Sequence, residues 1–288
     1  MKKSKKPLHT RLKSGEFIVA PGVFDMISAK IANEHSFSAL YMTGYGTVAS
    51  YLGLPDAGLA TYTDMVDRVR QFVGCIETPL IADGDTGYGG LLNVSHTVSG
   101  YEAVGAAAIQ LEDQEFPKKC GHTPGRRVIP TEDMVQKIQV ATDTRNSEDF
   151  LIIARTDART SLGLDEALRR GEAYLKAGAD ILFIESPESV EEMEKIGKSF
   201  DVPLVSNMVE GGKTPILSAN QLQDLGYQIA IFPATGFLAT GAALKKVYAQ
   251  LENADANSKE IVDLYDFEEF SRLMGFERVW EFEKKYAS

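Results

Sequence analysis

Eight short apolar runs, separated by helical patterns, are the feature that most constrains the fold of this 288-residue chain. Each run is nearly continuous in apolar residues, which is typical of parallel strands covered by helices on one side and by packed side chains on the other. The first run is predicted to end at Pro21-Gly22. The runs are residues 17–20, 39–42, 79–83, 107–112, 150–155, 181–185, 203–207 and 229–233.

The segments between the runs carry helical periodicity. Residues 164–175 space their apolar side chains three and four apart, and residues 176–180 contain the glycine that ends a helix before a strand begins. Eight such strand–helix units predict an α/β fold, a (β/α)8 TIM barrel, and a chain of this length can form one as a single domain. A doubly wound open sheet is the alternative.

The pattern changes after residue 250. Residues 1–250 are predicted to form the barrel domain, residues 251–257 form a polar connector, and residues 266–286 are predicted to be helical. The aromatic content of this last segment is high for a terminal appendage, and exposed aromatic patches mark interfaces. We therefore expect residues 251–288 to form a helical extension that packs on the barrel or on a neighbouring subunit.

Charge and cysteine content exclude several classes of function. A net charge of -11 argues against nucleic acid or an anionic membrane as a partner, because both require a basic surface. Cys75 and Cys120 lack metal-type spacing, which favours a reducing compartment over a disulfide framework. No apolar run is long enough for a signal peptide or a membrane span, so a cytoplasmic protein is predicted.

Polar and charged residues follow most of the predicted strands. In a barrel, functional groups lie at the carboxyl ends of the strands, whereas packing alone gives no reason to concentrate charge at one rim. The residues at these ends are Thr43, Gly44, Tyr45, Asp83, Asp85, Glu112, Arg155, Glu185 and Asn207.

Acidic residues near the third and fourth strands suggest a metal site. Asp83 and Asp85 are expected to face the same side because side chains alternate along a strand. With Glu112 and Asp56 they form an oxygen-only set, which suits Mg2+ or Mn2+. The alternative is a hydrogen-bonded Asp-Gly turn.

A single thiol lies in a cationic segment, residues 116–127. Cys120 stands beside Lys118, Lys119 and His122, and the Gly and Pro residues there disfavour helix or strand. Positive neighbours stabilise a thiolate, so Cys120 is a candidate acid or base. A solvated loop with an inert cysteine is the alternative.

Four motifs together resemble the isocitrate lyase and phosphoenolpyruvate mutase superfamily, and the likeness runs from about residue 7 to the C-terminus. They are D-G-D-T-G-Y-G-G at 83–90, I-Q-L-E-D-Q at 109–114, F-P-K-K-C-G-H at 116–122 and I-I-A-R-T-D-A at 152–158. The resemblance implies a (β/α)8 barrel, a 2-oxo or 2-hydroxy acid bound through Mg2+, a mobile loop over the site, and a homotetramer that exchanges its C-terminal helices.

The resemblance also implies roles for residues that match the motifs. Asp83 and Asp85 would hold Mg2+, with Asp56 and Glu112 acting through waters. The substrate carboxylate would lie at residues 43–45. Arg155 would stabilise the developing oxyanion, and Cys120 would donate the proton. Further candidate catalytic residues are Tyr41, Lys118, Lys119, His122 and Glu185, and further candidate substrate contacts are Gly121, Asn207, Thr214 and Leu238.

Within the superfamily, K-K-C-G-H is typical of carbon-carbon lyases. Leu238 stands where methylisocitrate lyases place an arginine for a third carboxylate, and Gln110 stands where they place a histidine. Residues 123–130, T-P-G-R-R-V-I-P, look more like dimethylmalate lyases and petal-death proteins. These matches imply a lyase that cleaves a 2-hydroxy dicarboxylate, such as 2,3-dimethylmalate or another 2-alkylmalate, to a 2-oxo acid such as pyruvate plus a carboxylate.

Other activities remain open from the sequence. Cleavage of 2-methylisocitrate to pyruvate and succinate is the first alternative, followed by hydrolysis or decarboxylation of oxaloacetate. A phosphonate-type mutase acting on phosphoenolpyruvate or carboxyphosphonoenolpyruvate would leave Cys120 idle. A barrel that senses a metabolite without turnover is the non-enzymatic alternative.

Overall fold

Strands and helices alternate along the chain, as the apolar runs predict. The computed structural model describes residues 6–121, 125–252 and 264–287. The strands are β1 (Ile18–Val23), β2 (Leu40–Met42), β3 (Leu80–Asp83), β4 (Ala108–Glu112), β5 (Leu151–Thr156), β6 (Ile181–Ile184), β7 (Val205–Asn207) and β8 (Ile229–Phe232). The helices are α1 (Leu8–Lys13), α2 (Met26–Glu34), α3 (Gly44–Leu52), α4 (Tyr62–Cys75), α5 (Leu91–Ala103), α6 (Thr131–Thr144), α7 (Ala158–Leu162), α8 (Leu164–Lys176), α9 (Val190–Ser199), α10 (Ala219–Asp224), α11 (Thr235–Glu252), α12 (Phe267–Leu273) and α13 (Phe276–Tyr286).

The eight strands form a parallel sheet that closes on itself. Their order is β6-β5-β4-β3-β2-β1-β8-β7, and β1 pairs with both β2 and β8. A parallel bridge between Leu182 and Leu204 joins the two ends, with the Leu182 amide donating to the Pro203 carbonyl at 3.1 Å. The predicted (β/α)8 TIM barrel is therefore confirmed, and the open-sheet alternative is excluded.

The prediction that the first strand ends at Pro21-Gly22 is wrong. β1 continues to Val23, with Pro21 opposite Phe232 and Gly22 opposite Tyr41. A Cβ atom on residue 22 would lie 2.5 Å from the Pro233 carbonyl oxygen. The glycine therefore allows another part of the backbone to approach β1 closely inside the sheet. Such a close approach is a common reason for a glycine within a strand.

Apolar side chains fill the barrel in two layers. The inner cluster includes Ile81, Ile153 and Phe183, while a larger outer cluster packs the strands against the surrounding helices. Leu8 and Leu12 of α1 belong to the inner cluster. The amino-terminal half of the barrel interior is thus apolar, and the polar groups gather where β3, β4, β5 and β7 end.

Residues 237–288 form a compact unit separate from residues 1–236. The prediction that residues 266–286 are helical is confirmed, and Gly275, with a left-handed φ of 95°, divides the segment into α12 and α13. Of the predicted connector, residues 253–257 lie outside the described residues. The boundary at residue 250 and the docking of the extension remain predictions. Among the described helices, none combines the length and apolar character needed to cross a membrane.

Candidate active site

The start of α3 forms one wall of the site. Thr43 caps this helix, and its hydroxyl accepts a hydrogen bond from the Gly46 amide at 3.5 Å. A Cβ atom on residue 44 would lie 2.5 Å from Asp83 Oδ2, so glycine brings the first turn of α3 against that carboxylate. Tyr45 is exposed. Backbone amides at a helix start favour anions, so residues 43–45 can bind a carboxylate.

Asp83 and Asp85 meet through a turn and not through strand alternation. β3 ends at Asp83, and Asp85 has a left-handed φ of 48°. The Asp85 amide donates to Asp83 Oδ1 at 3.0 Å, so the Asp83 side chain accepts the hydrogen bond that closes the turn over residues 83–85. The expectation based on strand periodicity is therefore wrong, although both carboxylates are buried at the same strand end.

Lys118 connects this acidic pair to Asp56. The Lys118 ammonium lies 2.5 Å from Asp56 Oδ1 and 2.6 Å from Asp85 Oδ1, and all three side chains are almost completely buried. Burial raises the pKa of Asp85 to about 7, although Lys118 opposes the rise. The sequence indicated a cationic loop but not that this lysine enters the acidic cluster.

Glu112 completes the acidic set at the end of β4. Its amide donates to the Asp85 carbonyl at 2.9 Å, and its Oε1 atom is buried without a hydrogen-bond partner among the described residues. Burial also raises the pKa of Glu112 well above its ordinary value, while Arg155 opposes the rise. An orphaned buried carboxylate oxygen is one that a further cation would satisfy.

Three carboxylates among the described residues surround Arg155. Asp157 accepts two hydrogen bonds from the guanidinium, from Nε at 2.9 Å and from Nη2 at 3.0 Å. Glu112 and Glu185 lie farther away, at 3.5 Å from Nε and 3.4 Å from Nη2. The guanidinium also lies 5.0 Å from the centre of the Phe183 ring. The structure thus holds a buried positive charge beside Glu112.

Glu185 links Arg155 to β7. Its carboxylate accepts hydrogen bonds from Asn207 Nδ2 at 3.1 Å and from Ser186 Oγ at 2.9 Å. Thr214 is also buried, and its hydroxyl has no hydrogen-bond partner among the described residues. Asn207 and Thr214 are thus two buried polar side chains, and Asn207 contacts Glu185 at this side of the barrel.

Residues 114–121 and 125–128, which we call the Cys120 segment, are joined at their ends. Gln114 and Val128 form an antiparallel bridge, and the Glu115 amide donates to the Arg127 carbonyl at 2.9 Å. Near the middle, the Cys120 amide donates to the Asp56 carbonyl at 3.2 Å. This arrangement brings Cys120, which is half-buried, next to the loop that carries Asp56.

The two lysines of the segment have different positions. Lys118 is buried in the acidic cluster, whereas Lys119 is exposed and its ammonium donates to the Gly125 carbonyl at 3.3 Å. Gly121 is buried, and its carbonyl accepts a hydrogen bond from Ser186 Oγ at 3.3 Å. His122 lies outside the described residues. The structure therefore brings Lys118 and Gly121, but not the Lys119 ammonium, into the site.

Tyr41 lies below the acidic cluster, inside the barrel. Its hydroxyl donates to Gln110 Oε1 at 3.1 Å, and Gln110 Nε2 is 3.4 Å from Asp83 Oδ1. Burial raises the pKa of Tyr41 well above its ordinary value, so the phenol stays protonated. Leu238 belongs to the unit of residues 237–288, where it is exposed on α11.

Sequence reasoning missed two buried residues beside Arg155. Asp157 lies two positions after it, and Arg126 forms an ion pair with Asp157 Oδ1. Burial would raise the pKa of Asp157, but Arg155 and Arg126 hold it below its ordinary value. The motif I-I-A-R-T-D-A places Asp157 directly after the strand that carries Arg155, which is the position where functional groups lie in a barrel.

The named acidic and basic groups do not balance. Six carboxylates, those of Asp56, Asp83, Asp85, Glu112, Asp157 and Glu185, face three cations, those of Lys118, Arg126 and Arg155. Across the described residues, no three acidic, histidine or cysteine side chains converge in a ready-made metal cage. The excess negative charge, the oxygen-only donors and the orphaned Glu112 oxygen nevertheless fit a hard divalent cation that keeps several water ligands.

The chain matches known proteins along nearly its whole length. Residues 8–252 match the family model described as phosphoenolpyruvate phosphomutase. A 2,3-dimethylmalate lyase of Eubacterium barkeri is 48% identical over 277 residues, covering 96% of each chain. A 2-methylisocitrate lyase of Aeropyrum pernix is 40% identical, covering 97% of this chain and 89% of that protein.

Solved structures show the same architecture. An oxaloacetate acetylhydrolase in complex with the inhibitor 3,3-difluorooxalacetate superimposes with a TM-score of 0.92 at 34% identity, covering 98% of this chain and 96% of that one. A phosphonopyruvate hydrolase in complex with oxalate and Mg2+ superimposes with a TM-score of 0.88 at 31% identity, covering 99% of each chain. Proteins similar to this chain thus include one whose structure contains Mg2+ and a small dicarboxylate.

Proposed function

The chain belongs to the phosphoenolpyruvate mutase and isocitrate lyase superfamily, and on that premise we propose that it is a Mg2+-dependent carbon-carbon lyase of 2-alkylmalates, with 2,3-dimethylmalate as the first candidate substrate. Its products are a 2-oxo acid such as pyruvate and a monocarboxylate. The observation that carries the proposal is the approach of the Cys120 segment to Arg155. It brings a thiol and a fixed positive charge to the same strand ends.

The acidic cluster is the proposed metal site. Asp83 and Asp85 would hold Mg2+ directly, and Asp56 and Glu112 would act through water ligands, with Mn2+ as a substitute. When bound, the metal supplies a Lewis acid that lowers the pKa of the substrate hydroxyl. The excess of buried carboxylates over cations and the Glu112 Oε1 atom, which has no hydrogen-bond partner among the described residues, support this assignment because both favour a further cation.

Two polar surfaces would orient a dicarboxylate. The backbone amides at the start of α3, with Thr43 and Tyr45, would bind the carboxylate next to the hydroxyl carbon. Asn207 and Thr214 would bind the second carboxylate, which is supported by the buried Thr214 hydroxyl, since that group has no hydrogen-bond partner in the described part of the chain. A substrate held at both ends presents its central bond to the groups between them.

Bond cleavage requires a group that stabilises negative charge, Arg155, and a proton donor, Cys120. The hydroxyl proton passes to a neighbouring carboxylate, for which Glu112 beside Arg155 is the candidate, and Arg155 stabilises the negative charge left on the oxygen. The bond between the hydroxyl carbon and the neighbouring carbon then breaks, and its electron pair stays with the fragment that carries the second carboxylate. The Cys120 thiol protonates that carbon. Lys118, which is buried in the acidic cluster with Asp56 and Asp85, balances the negative charge that develops on the leaving fragment.

A substrate panel tests the proposal. The protein with Mg2+ is incubated with 2,3-dimethylmalate, other 2-alkylmalates, 2-methylisocitrate and oxaloacetate, and pyruvate and the carboxylate product are measured. Pyruvate from a 2-alkylmalate is expected. A folded, Mg2+-loaded protein that cleaves no 2-alkylmalate would refute the proposal, and selective cleavage of 2-methylisocitrate or oxaloacetate would replace it with those activities.

The predicted quaternary structure is a second part of the proposal. α12 and α13 carry exposed aromatic side chains, among them Phe267, Trp280 and Phe282. We propose that the helical extension packs on a neighbouring subunit of a homotetramer. Light scattering on the full chain should give four times the 31.5 kDa mass, and a chain shortened after residue 252 should lose that assembly. A monomeric full chain would contradict the proposal.

A further inference from the structure

Two arginines share one buried carboxylate beside the candidate active site. Asp157 accepts two hydrogen bonds from Arg155, and its Oδ1 atom also pairs with Arg126 Nη1. Arg126 is itself fixed, because its Nη2 atom donates to Thr160 Oγ1 at 2.7 Å. The side chain of Asp157 is fully buried and that of Arg126 is almost so. The contact between Arg126 and Asp157 is therefore a buried ion pair and not one on the surface.

Asp157 is the carboxylate that sets the direction of the Arg155 guanidinium. It accepts from two guanidinium nitrogens at 2.9 and 3.0 Å, whereas Glu112 and Glu185 are more than 3.3 Å from that group. A bidentate contact between a planar guanidinium and a carboxylate fixes the orientation of both groups. Whatever holds Asp157 therefore also holds Arg155.

We propose that Arg126 is a positioning residue for Arg155 and acts through Asp157. The inference rests on the proposed function, because it concerns the charge that Arg155 offers to the reacting oxygen. Without Arg126, Asp157 would lose one guanidinium partner and its negative charge would be balanced by Arg155 alone. Arg155 would then be both less rigidly held and more fully neutralised.

The position of Arg126 in the chain gives this contact a second consequence. Arg126 and Cys120 belong to the same segment, whose ends are joined by the contact between Glu115 and Arg127. The ion pair between Arg126 and Asp157 therefore fixes the proton-donor segment relative to β5, which carries Arg155. One contact thus aligns the residue that stabilises the oxyanion and the segment that carries the thiol.

Replacement of Arg126 by alanine, with Arg127→Ala as the matched control, tests the proposal. Arg127 is the adjacent arginine of the same segment, but it is exposed and pairs with Glu115. We expect R126A to lower kcat about 10- to 100-fold with KM changed less than about threefold, because misplaced catalytic groups affect the transition state most. R127A should leave both constants within about twofold.

Arg126→Lys and a double variant identify the route of the effect. Lysine restores the charge but not the two-sided contact with Asp157 and Thr160, so R126K should recover part of the lost kcat. In an Asp157→Asn background, removing Arg126 should cost less than about threefold, because coupled residues are not additive. If removing Arg126 lowered kcat as much in the Asp157→Asn background as in the wild type, Arg126 would not act through Asp157.

Binding of oxalate separates this inference from the proposed function. Oxalate with Mg2+ is bound in the solved phosphonopyruvate hydrolase, and its affinity can be measured here by calorimetry without any turnover. We expect R126A to weaken oxalate binding about tenfold although KM changes little, because oxalate offers a charged oxygen to Arg155 whereas the substrate hydroxyl is neutral before reaction. R127A should leave the affinity for oxalate unchanged, even if no alkylmalate is cleaved. Equal oxalate affinity in R126A and R127A would refute the positioning role. So would a loss of activity explained entirely by a smaller folded fraction.

Discussion

Gly121 lies against Arg155 so closely that a Cβ atom on residue 121 would be 2.3 Å from the Arg155 Nη2 atom. The same Cβ atom would lie 3.2 Å from the Glu185 carboxylate carbon. No side chain therefore fits at position 121 while the adjacent Cys120 keeps its place. The absence of a side chain at one residue controls how near the thiol comes to the guanidinium.

Gly121→Ala should reduce turnover with little loss of stability. The added methyl group forces the Cys120 segment away from Arg155, and a misplacement of about 1 Å can lower the rate on the order of 100-fold. Gly74→Ala is the matched control, because a Cβ atom there meets nothing within 4 Å. Steady-state kinetics and thermal unfolding of both variants check the prediction, and wild-type kcat in G121A would contradict it.

Cys120→Ser should lose turnover by a factor of about 100 to 10,000, the usual contribution of a general acid or base. The hydroxyl is nearly isosteric with the thiol but is a much weaker acid. The affinity for oxalate and the melting temperature should stay close to those of the wild type. Cys75→Ser is the control, since Cys75 lies on α4 with its thiol directed at the Phe72 carbonyl. Wild-type turnover in C120S would favour a mechanism in which the thiol is idle.

Asp85→Asn should abolish stabilisation by Mg2+. A ligand at about 100 times its Kd stabilises a fold by about 2.7 kcal/mol, so the wild-type melting temperature should rise when Mg2+ is added. The rise should disappear in D85N and persist in Asp165→Asn, a change at an exposed carboxylate that pairs with Lys195. Chelation should also abolish turnover, and Mg2+ or Mn2+ should restore it. A thermal shift in D85N equal to that of the wild type would place the metal elsewhere.

The sequence predicted the barrel because its signal is repeated eight times. Continuous apolar runs at regular spacing specify parallel strands, and the end of a strand specifies where its polar neighbour lies. Local exceptions were not predictable in this way. β1 runs through Pro21-Gly22 because the backbone at Pro233 approaches it closely, and such an approach depends on residues more than 200 positions away.

The sequence predicts which strand ends carry the candidate site residues, but it does not predict the contacts between them. Asp83 and Glu112 are the last residues of β3 and β4, and Arg155 is the residue before the last of β5, so their positions in the strands bring them together. The insertion of Lys118 between Asp56 and Asp85 depends on the path of a segment without strand or helix periodicity. No sequence pattern indicates which charged side chain of such a segment is buried. The sequence therefore did not distinguish the buried Lys118 from the exposed Lys119.

The resemblance to methylisocitrate lyases makes residue 238 the proposed selector between two and three carboxylates, and on that proposal Leu238→Arg should shift substrate preference towards a tricarboxylate. Leucine cannot pair with a third carboxylate, whereas arginine can, and a hydrogen bond to a charged group contributes about 1.5 to 3 kcal/mol, or about 10- to 100-fold. The ratio of kcat/KM for 2-methylisocitrate to that for 2,3-dimethylmalate should rise by that factor in L238R. Leu244→Arg is the matched control, since it adds the same charge at another exposed leucine of α11. An equal ratio in the two variants would show that residue 238 does not select the substrate, and the preference would then have to come from the groups that surround Gln110 and Asn207.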